Sequence, residues 1–244
     1  MLALRLRKAK KIRGLKAEFL EDAHCELRHF GKVIFENGST PPLRLGQKLP
    51  HNARVVVCNK PGSFAARNFG MSKATGDLLA FTDADCIPAR DWLAQGVKIV
   101  TENPLNVVGG EIILQLSEQP TGVELYQYIR GFMQKENITE RKFTATANVF
   151  VTAEVAQTIG EFNNTLLSGG DREWSWRANK LGHHVIYGLG AVVTTPPRRK
   201  ITSAILQTRR VAGGRFDLKQ QDQGSQPTNT STLSAVQLKQ STTF

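Results

Sequence analysis

The sequence predicts an α/β fold, with a mostly parallel sheet flanked by helices in a single domain. Three observations carry that reading. Short β-branched and aromatic runs alternate with stretches of helical spacing, the pattern of a sheet covered on both faces. The run RVVVC (54–58) is of the continuous apolar kind found in buried parallel strands. The run LLAFT (78–82) passes straight into Asp83-Ala84-Asp85, and in such sheets ligands sit beyond the carboxyl ends of strands.

The elements follow in order. Residues 1–30 are Lys/Arg-rich with weak helical spacing at Leu15, Phe19 and Ala23, and they form an unassigned basic segment. KVIFE (32–36) is a strand closed by the turn signal Asn37-Gly38-Ser39. After RVVVC, Ser63 caps a helix to about Lys73, and Gly76 ends that unit. LLAFT is the third strand. A helix from Asp91 to about Thr101 places Trp92, Gly96, Ile99 and Val100 on one face. Residues 106–116 read as strand. Residues 122–136 read as one helix with Val123, Tyr126, Arg130 and Met133 in a stripe. Residues 144–151 are strand, 153–159 a short helix, and 171–181 a helix ended by Gly182. Residues 184–193 form the last strand before Pro196-Pro197. A basic helix begins at 201 and reaches about 212, within a basic segment that runs to 218. Residues 219–244 are Gln/Ser/Thr-rich and read as a disordered tail.

Composition narrows the classes. The chain has 244 residues, with 40% hydrophobic and 22% charged, ordinary values for a globular domain. It holds no run of about 18 apolar residues, so no transmembrane helix is expected, and the basic start lacks the apolar core of a secretory signal. Cys25, Cys58 and Cys86 are too few and too far apart for a disulfide framework or a CxxC zinc site, which suits a reducing, cytoplasmic location. The net charge of +11 is uneven. Residues 1–30 hold 8 Lys/Arg against 4 Asp/Glu, residues 31–195 hold 16 against 15, and residues 196–244 hold 8 against 2. The near-neutral middle argues against a nucleic-acid partner, which would need basic and aromatic residues interleaved along a groove. The basic ends leave two readings open: attraction to an anionic surface, such as the inner face of a membrane, or a solvated tail.

Two sites carry candidate chemistry. Asp83 and Asp85, one residue apart past an apolar strand, suit a hard divalent cation shared with phosphate oxygens. Taken alone the pair also suits a turn in which Asp83 caps the following segment. Asp171 stands at the start of a helix, where capping physics alone would choose an acid. The helix 63–73 has Ala65, Ala66, Gly70 and Ala74, which close packing against a strand would explain as well.

The joint spacing is more specific than its parts. GSFAARNFGMSKATGDLLAFTDADC (62–86) resembles the family 2 glycosyltransferases, whose pattern is a Gly, A-R-N-x-G, A-x-G, an apolar strand and D-x-D. VIFENGST (33–40) is similar to their earlier strand and turn, and SGGDREWSWRANKLG (168–182) to their acidic motif, with Gly170 where a Glu often stands. The resemblance runs from residue 33 to about 200. It implies a GT-A domain over 31–200 and metal-assisted transfer of a sugar, with inversion, from a nucleotide-diphosphate-sugar donor to an acceptor hydroxyl. It assigns Asp171 as catalytic base. It assigns Glu36, Arg67, Asp83 and Asp85 to the nucleotide-sugar, and Asp85 with Asp83 to a divalent metal, Mg or Mn. The acceptor, a glycan, a lipid-linked group or another hydroxyl, would meet Gly110, Glu111 and Trp174.

Two departures stand out. Members often carry a His shortly before a Pro after the last strand, where this chain has Thr194 and Thr195; His183 and His184 lie upstream and read as structural. Members also begin with a strand of the type V-V-I-P-x-Y-N, which nothing in residues 1–32 resembles. The fold is therefore expected to be incomplete at its N-terminus, with residues 1–30 helical or irregular. The gap would lie between VIFE (33–36) and LLAFT (78–82), left open or filled by a substitute strand, and the activity of such a chain would be in doubt.

Overall fold

A computed structural model describes residues 2–6, 31–36 and 53–224. These form a sheet of strands β1 (Leu2–Leu6), β2 (Gly31–Glu36), β3 (Ala53–Val57), β4 (Leu78–Thr82), β5 (Ile87–Pro88), β6 (Val107–Leu114), β7 (Asn148–Thr152) and β8 (Val185–Thr195). The spatial order is β3-β2-β1-β4-β7-β6-β8-β5. Helices α1 (Ser63–Lys73), α2 (Trp92–Glu102), α3 (Gly122–Arg130), α4 (Gln134–Thr139), α5 (Ala153–Ile159), α6 (Gly170–Lys180) and α7 (Ile201–Gly224) complete it.

The apolar runs split by parity. Leu79 and Phe81 of β4, Val149 and Val151 of β7 and Val107 of β6 join one buried cluster with Phe64, Phe162, Trp174 and Leu218. Leu78, Ala80, Phe150 and Val108 join a second with Trp92, Leu93, Val100 and Val193. Both faces of the central strands are therefore covered, as their unbroken apolar character requires. Gly96 lets α2 lie directly on the Phe150 ring, where a Cβ would collide.

The sheet is mixed rather than mostly parallel. Among the described strands only β2–β3 and β6–β8 pair in parallel. β7 runs antiparallel to both β4 and β6.

The first strand corrects a sequence-based expectation. β1 lies between β2 and β4, antiparallel to both, with Leu2 opposite Ile34 and Thr82 and Leu6 opposite Leu78. The slot falls between the two strands expected to border it, and Leu2–Leu6 is the substitute strand. Arg5 within the run does not bar it from a central position. Pairing follows the two open backbone edges on offer, and Arg5 falls in register with Gly31 on one side and Leu79 on the other. The weak helical spacing at Leu15, Phe19 and Ala23, the turn at 37–39 and the tail beyond 224 lie outside the described residues.

Three further boundaries moved. The single helix expected over 122–136 is two, because Gly131 and Met133 take positive φ values of 70° and 59°. The strand at 144–151 starts only at Asn148. Before it, side chains take the backbone N–H groups: Thr144 N–H donates to Ser175 Oγ (3.2 Å) and Ala145 N–H to Gln134 Oε1 (3.2 Å). The basic helix continues past 212 and 218 to Gly224, through Gly213-Gly214. Gly214 is buried because a Cβ there would strike Ser168. No helix among the described residues is long and apolar enough to cross a membrane.

The central position of β1 has a measurable consequence. Deleting residues 1–6 would leave facing edges of β2 and β4 unpaired, at about 1–3 kcal/mol for each buried group. That is large beside a typical net stability of about 5–15 kcal/mol. Leu4→Pro, which removes one ladder donor, is expected to lower the melting temperature, and the deletion to abolish cooperative unfolding in calorimetry. Unchanged melting of both variants would show that the slot needs no strand.

Candidate active site

The ends of β4 and β6 and the start of β7 share one edge of the sheet. Thr82 is in register with Asn148, and the Asn148 amide donates to the carbonyls of Glu111 (2.8 Å) and Ala191 (2.8 Å) while its Oδ1 accepts from Trp92 Nε1 (2.8 Å). This fully buried amide closes the irregularity at Gly110/Glu111, where β8 loops out before pairing resumes. Gly110 has no room for a Cβ beside it. Gly110 and Glu111 thereby stand on the edge from which Asp83 and Asp85 project.

Asp83 to Cys86 make a turn, with Cys86 N–H donating to Asp83 O (3.1 Å). Asp85 is exposed. Asp83 is not: its Oδ1 accepts from Arg67 Nη2 at 2.8 Å, and the Arg67 side chain is only 7% exposed. Burial, then the carboxylates of Asp83 and Asp85, push the Cys86 thiol up, against a hydrogen bond from Thr195. Thr194 and Thr195 reach this turn because β5 pairs with β8, Ile87 opposite Thr194. His183 Nδ1 bonds Leu105 O (2.8 Å).

Asp171 sits in the first turn of α6, after Gly169 in the left-handed conformation at φ 84°. The residue before it must be small: a Cβ on Gly170 would lie 2.8 Å from the Phe64 ring. Asp171 Oδ1 accepts from Arg172 N–H (2.9 Å) and caps no earlier residue. Burial raises the Asp171 pKa, opposed first by the charge of Arg67, then by backbone hydrogen bonds and Arg172. One guanidinium, Arg67, thus acts on both Asp83 and Asp171. It lies over the Phe64 ring, 5.4 Å from its centroid, with Nε buried and unpartnered.

What holds these elements together was not singled out in the sequence. Asn68 clamps the Phe162 backbone, Nδ2 donating to Phe162 O and Oδ1 accepting from Phe162 N–H, both at 2.8 Å. The Phe162 ring contacts those of Phe64, Phe81 and Trp174. The A-R-N signature contains Asn68 and could have flagged it. Trp174 is a core residue at 1% exposure, its Nε1 bound to Gly160 O, so it cannot line an acceptor surface. Trp176 on the same helix is exposed. Glu36 ends β2 in register with Val57, one strand beyond β1. Gly169 and Ser168 are packed from behind by Leu218 and Gly214 of α7.

Among the described residues no three His, Cys, Asp or Glu side chains cluster to hold a metal. The arrangement instead offers Asp85 as an open carboxylate, with Asp83 already shared with Arg67. A magnesium-like ion is often held by one or two carboxylates, the rest of its shell coming from substrate phosphates and water, and the residues fit that mode.

Comparison with known proteins gives a consistent picture. The profile of the family described as Glycosyl transferase family 2 matches residues 35–156, which include Arg67, Asp83 and Asp85 but not Asp171. The chain is 33% identical over 144 residues to the Glycosyltransferase AglE of Haloferax volcanii, covering 59% of this chain and 47% of that protein. It is 24% identical over 187 residues to the Pre-mycofactocin glycosyltransferase of Mycobacterium tuberculosis, covering 72% and 39%. It therefore spans less than half the length of these relatives. A crystal structure of GalNAc-T7 with UDP, GalNAc and Mn2+ superposes with a TM-score of 0.47 at 18% identity, over 60% of this chain and 32% of that one.

The raised pKa of Asp171 makes a stability prediction. As pH rises, the unfolded chain releases this proton first, near the ordinary value of about 4. Stability contributed by the group is therefore full below that pH and lost as pH climbs toward the folded value. Asp171→Asn is expected to melt higher than the native chain at neutral pH, with the difference closing as pH falls toward about 4. A lower melting temperature at neutral pH would mean that Arg67 and Arg172 outweigh burial.

Proposed function

The chain belongs to the family 2 glycosyltransferases and has their GT-A α/β fold, and from that premise we propose that it transfers a sugar, with inversion, from a nucleotide-diphosphate-sugar to an acceptor hydroxyl. The observation that carries this reading is the buried Arg67, paired with Asp83 at the donor end and acting electrostatically on Asp171 at the acceptor end.

Asp171 is the base. Its pKa, raised by burial, moves it toward the range where a carboxylate can take a hydroxyl proton at neutral pH. As the acceptor oxygen bonds to the anomeric carbon, the bond to the diphosphate breaks and the nucleoside diphosphate leaves with the electron pair. The proton goes to Asp171. Asp83, fixed by Arg67, orients the donor, and Asp85 is the residue that would hold a divalent ion, with donor phosphates completing its shell. When bound, Mg or Mn supplies charge neutralisation to the departing diphosphate. Gly110 and Glu111 border the acceptor side; Trp174 contributes to packing only.

The acceptor's surroundings follow from the two outer helices. α3 and the start of α7 are tied together: Gln127 Nε2 donates to Arg198 O (3.0 Å), Thr121 Oγ1 to Arg199 O (3.1 Å), and Arg199 pairs with the buried Glu124 (3.3 Å). They expose Tyr126, Tyr128 and Ile129 on α3 and Ile201, Ile205 and Leu206 on α7. Arg198, Lys200, Arg209 and Arg210 lie among or beside them. Apolar side chains with cationic neighbours suit peripheral contact with an anionic membrane.

Two measurements check these readings. Calorimetry with UDP and GDP should give binding only with Mn or Mg; Asp85→Ala should remove the metal-dependent part, and Asp171→Asn should keep donor binding while losing transfer. Equal binding in chelator would remove the metal, and unchanged turnover in Asp171→Asn would reduce that residue to an electrostatic bystander. Separately, the chain should cosediment with anionic but not neutral vesicles, and less at high salt. Binding indifferent to both lipid charge and salt would remove the membrane.

A further inference from the structure

Beside Asp171 stands a second group of cations that this mechanism leaves unused. Arg172 lies over Phe143, 4.4 Å from the ring centroid, and 5.7 Å from that of Trp176. Its Nε is buried without a partner. Arg141 is set by its own Nη1 bond to Asn137 Oδ1 (2.8 Å) and by its carbonyl, which accepts from Trp176 Nε1 (3.0 Å). Arg215 is brought in by α7, whose neighbouring Gly214 rests on Ser168. Burial, then Arg215 and Arg141, lower the Arg172 pKa, and Asp171 opposes them. Like charges from two other segments of the chain thus act on Arg172. Among the described residues no ion pair neutralises Arg141, Arg172 or Arg215.

We infer that Arg141, Arg172 and Arg215 form a binding site for a phosphate group carried by the acceptor. This deepens the glycosyltransferase reading and rests on it. Charge balance selects the ligand. Three guanidinium groups facing one carboxylate leave an excess of two positive charges, and a phosphate monoester carries about −1.5 to −2 at neutral pH. A carboxylate would neutralise only half of it. The geometry agrees. The Arg172 guanidinium lies against the Phe143 and Trp176 rings, and no hydrogen bond to the described residues occupies its N–H groups, which suit paired bonds to phosphate oxygens. The adjacent Asp171 would then meet an acceptor hydroxyl held by this anchor. The phosphate itself is bound and not broken.

The test is calorimetric titration of the full chain with octyl phosphate, octanoate, octyl glucoside and inorganic phosphate, with and without saturating UDP and Mn. Octyl phosphate is expected to bind at least about tenfold more tightly than octanoate or octyl glucoside, in keeping with charge-assisted, bidentate recognition. Arg215→Gln, at an exposed position, and Arg172→Gln should each weaken it by about tenfold. Arg172→Lys should restore only part, and thermal melts would confirm that the variants are folded. Inorganic phosphate binding as tightly as octyl phosphate would assign the energy to the phosphate alone; weaker binding would assign a share to the attached chain. Equal binding of octanoate and octyl phosphate, or indifference to Arg215→Gln and Arg172→Gln, would overturn the site. So would competition by UDP, which would give the arginines to the donor diphosphate. UDP binding is read in the same experiment, so its loss with phosphate binding intact would strike the glycosyltransferase reading and not the site.

Discussion

One amide, that of Asn68, holds both the N–H and the carbonyl of Phe162. Around that fixed backbone the Phe162 ring meets Phe64 of α1, Phe81 of β4 and Trp174 of α6. Each of those three aromatic residues sits within a few positions of a charged group of the site: Phe64 near Arg67, Phe81 near Asp83, Trp174 near Asp171. The rigidity of the aromatic cluster therefore becomes the rigidity of the charges. The buried guanidinium of Arg67 is tolerable only if its pairing with Asp83 is held, since a lost partner would leave an unpaired buried ion. Asn68 and Phe162 supply that constraint without touching any reacting group.

A second buried amide plays the same part on the other face of the sheet. Asn148 satisfies its polar atoms with Trp92, Glu111 and Ala191, and so fixes where β6 leaves its regular pairing with β8. Between these two polar locks the sheet mixes strand directions freely. β1 enters against the direction of both neighbours, yet the edge that bears Asp83 is undisturbed, because β4 finds hydrogen-bond partners on each side whichever way β1 runs. The fold thus depends on edges being filled more than on the sense in which they are filled.

Much of this was legible in the sequence, and the limits follow from physics. The strands around LLAFT and the helix bearing Arg67 announce themselves through local periodicity, and the Asp83–Asp85 pair through charge at the end of an apolar run. Local signals also carried some errors within reach of correction. Trp174 and Ala178, one helical turn apart, are both buried, and that spacing separates the core stripe from exposed Trp176. Thr121 and Glu124 form a capping box that a closer look at T-x-x-E would have supplied. The helix expected to stop near 212 runs on through Gly213-Gly214, and at Gly214 a side chain would strike Ser168. Other features had no local trace. Arg141, Arg172 and Arg215 come from a turn and two separate helices, and the direction of β1 is decided by partners that the strand itself does not encode.

The clamp between Asn68 and Phe162 joins residues 94 apart in the chain, whereas the Arg67–Asp83 pair spans 16. Contacts of such long separation must bear loop-closure entropy before they return any energy, which slows the folding of proteins built on them. The Arg67–Asp83 pair can therefore form early, from the contiguous stretch of α1 and β4, while Asp171 waits for the chain to return through residue 162. During synthesis the emerging protein would hold a half-assembled centre, able to arrange Asp83 before Asp171 has been made. The full arrangement of these charges is acquired last, as a property of closure rather than of any one segment.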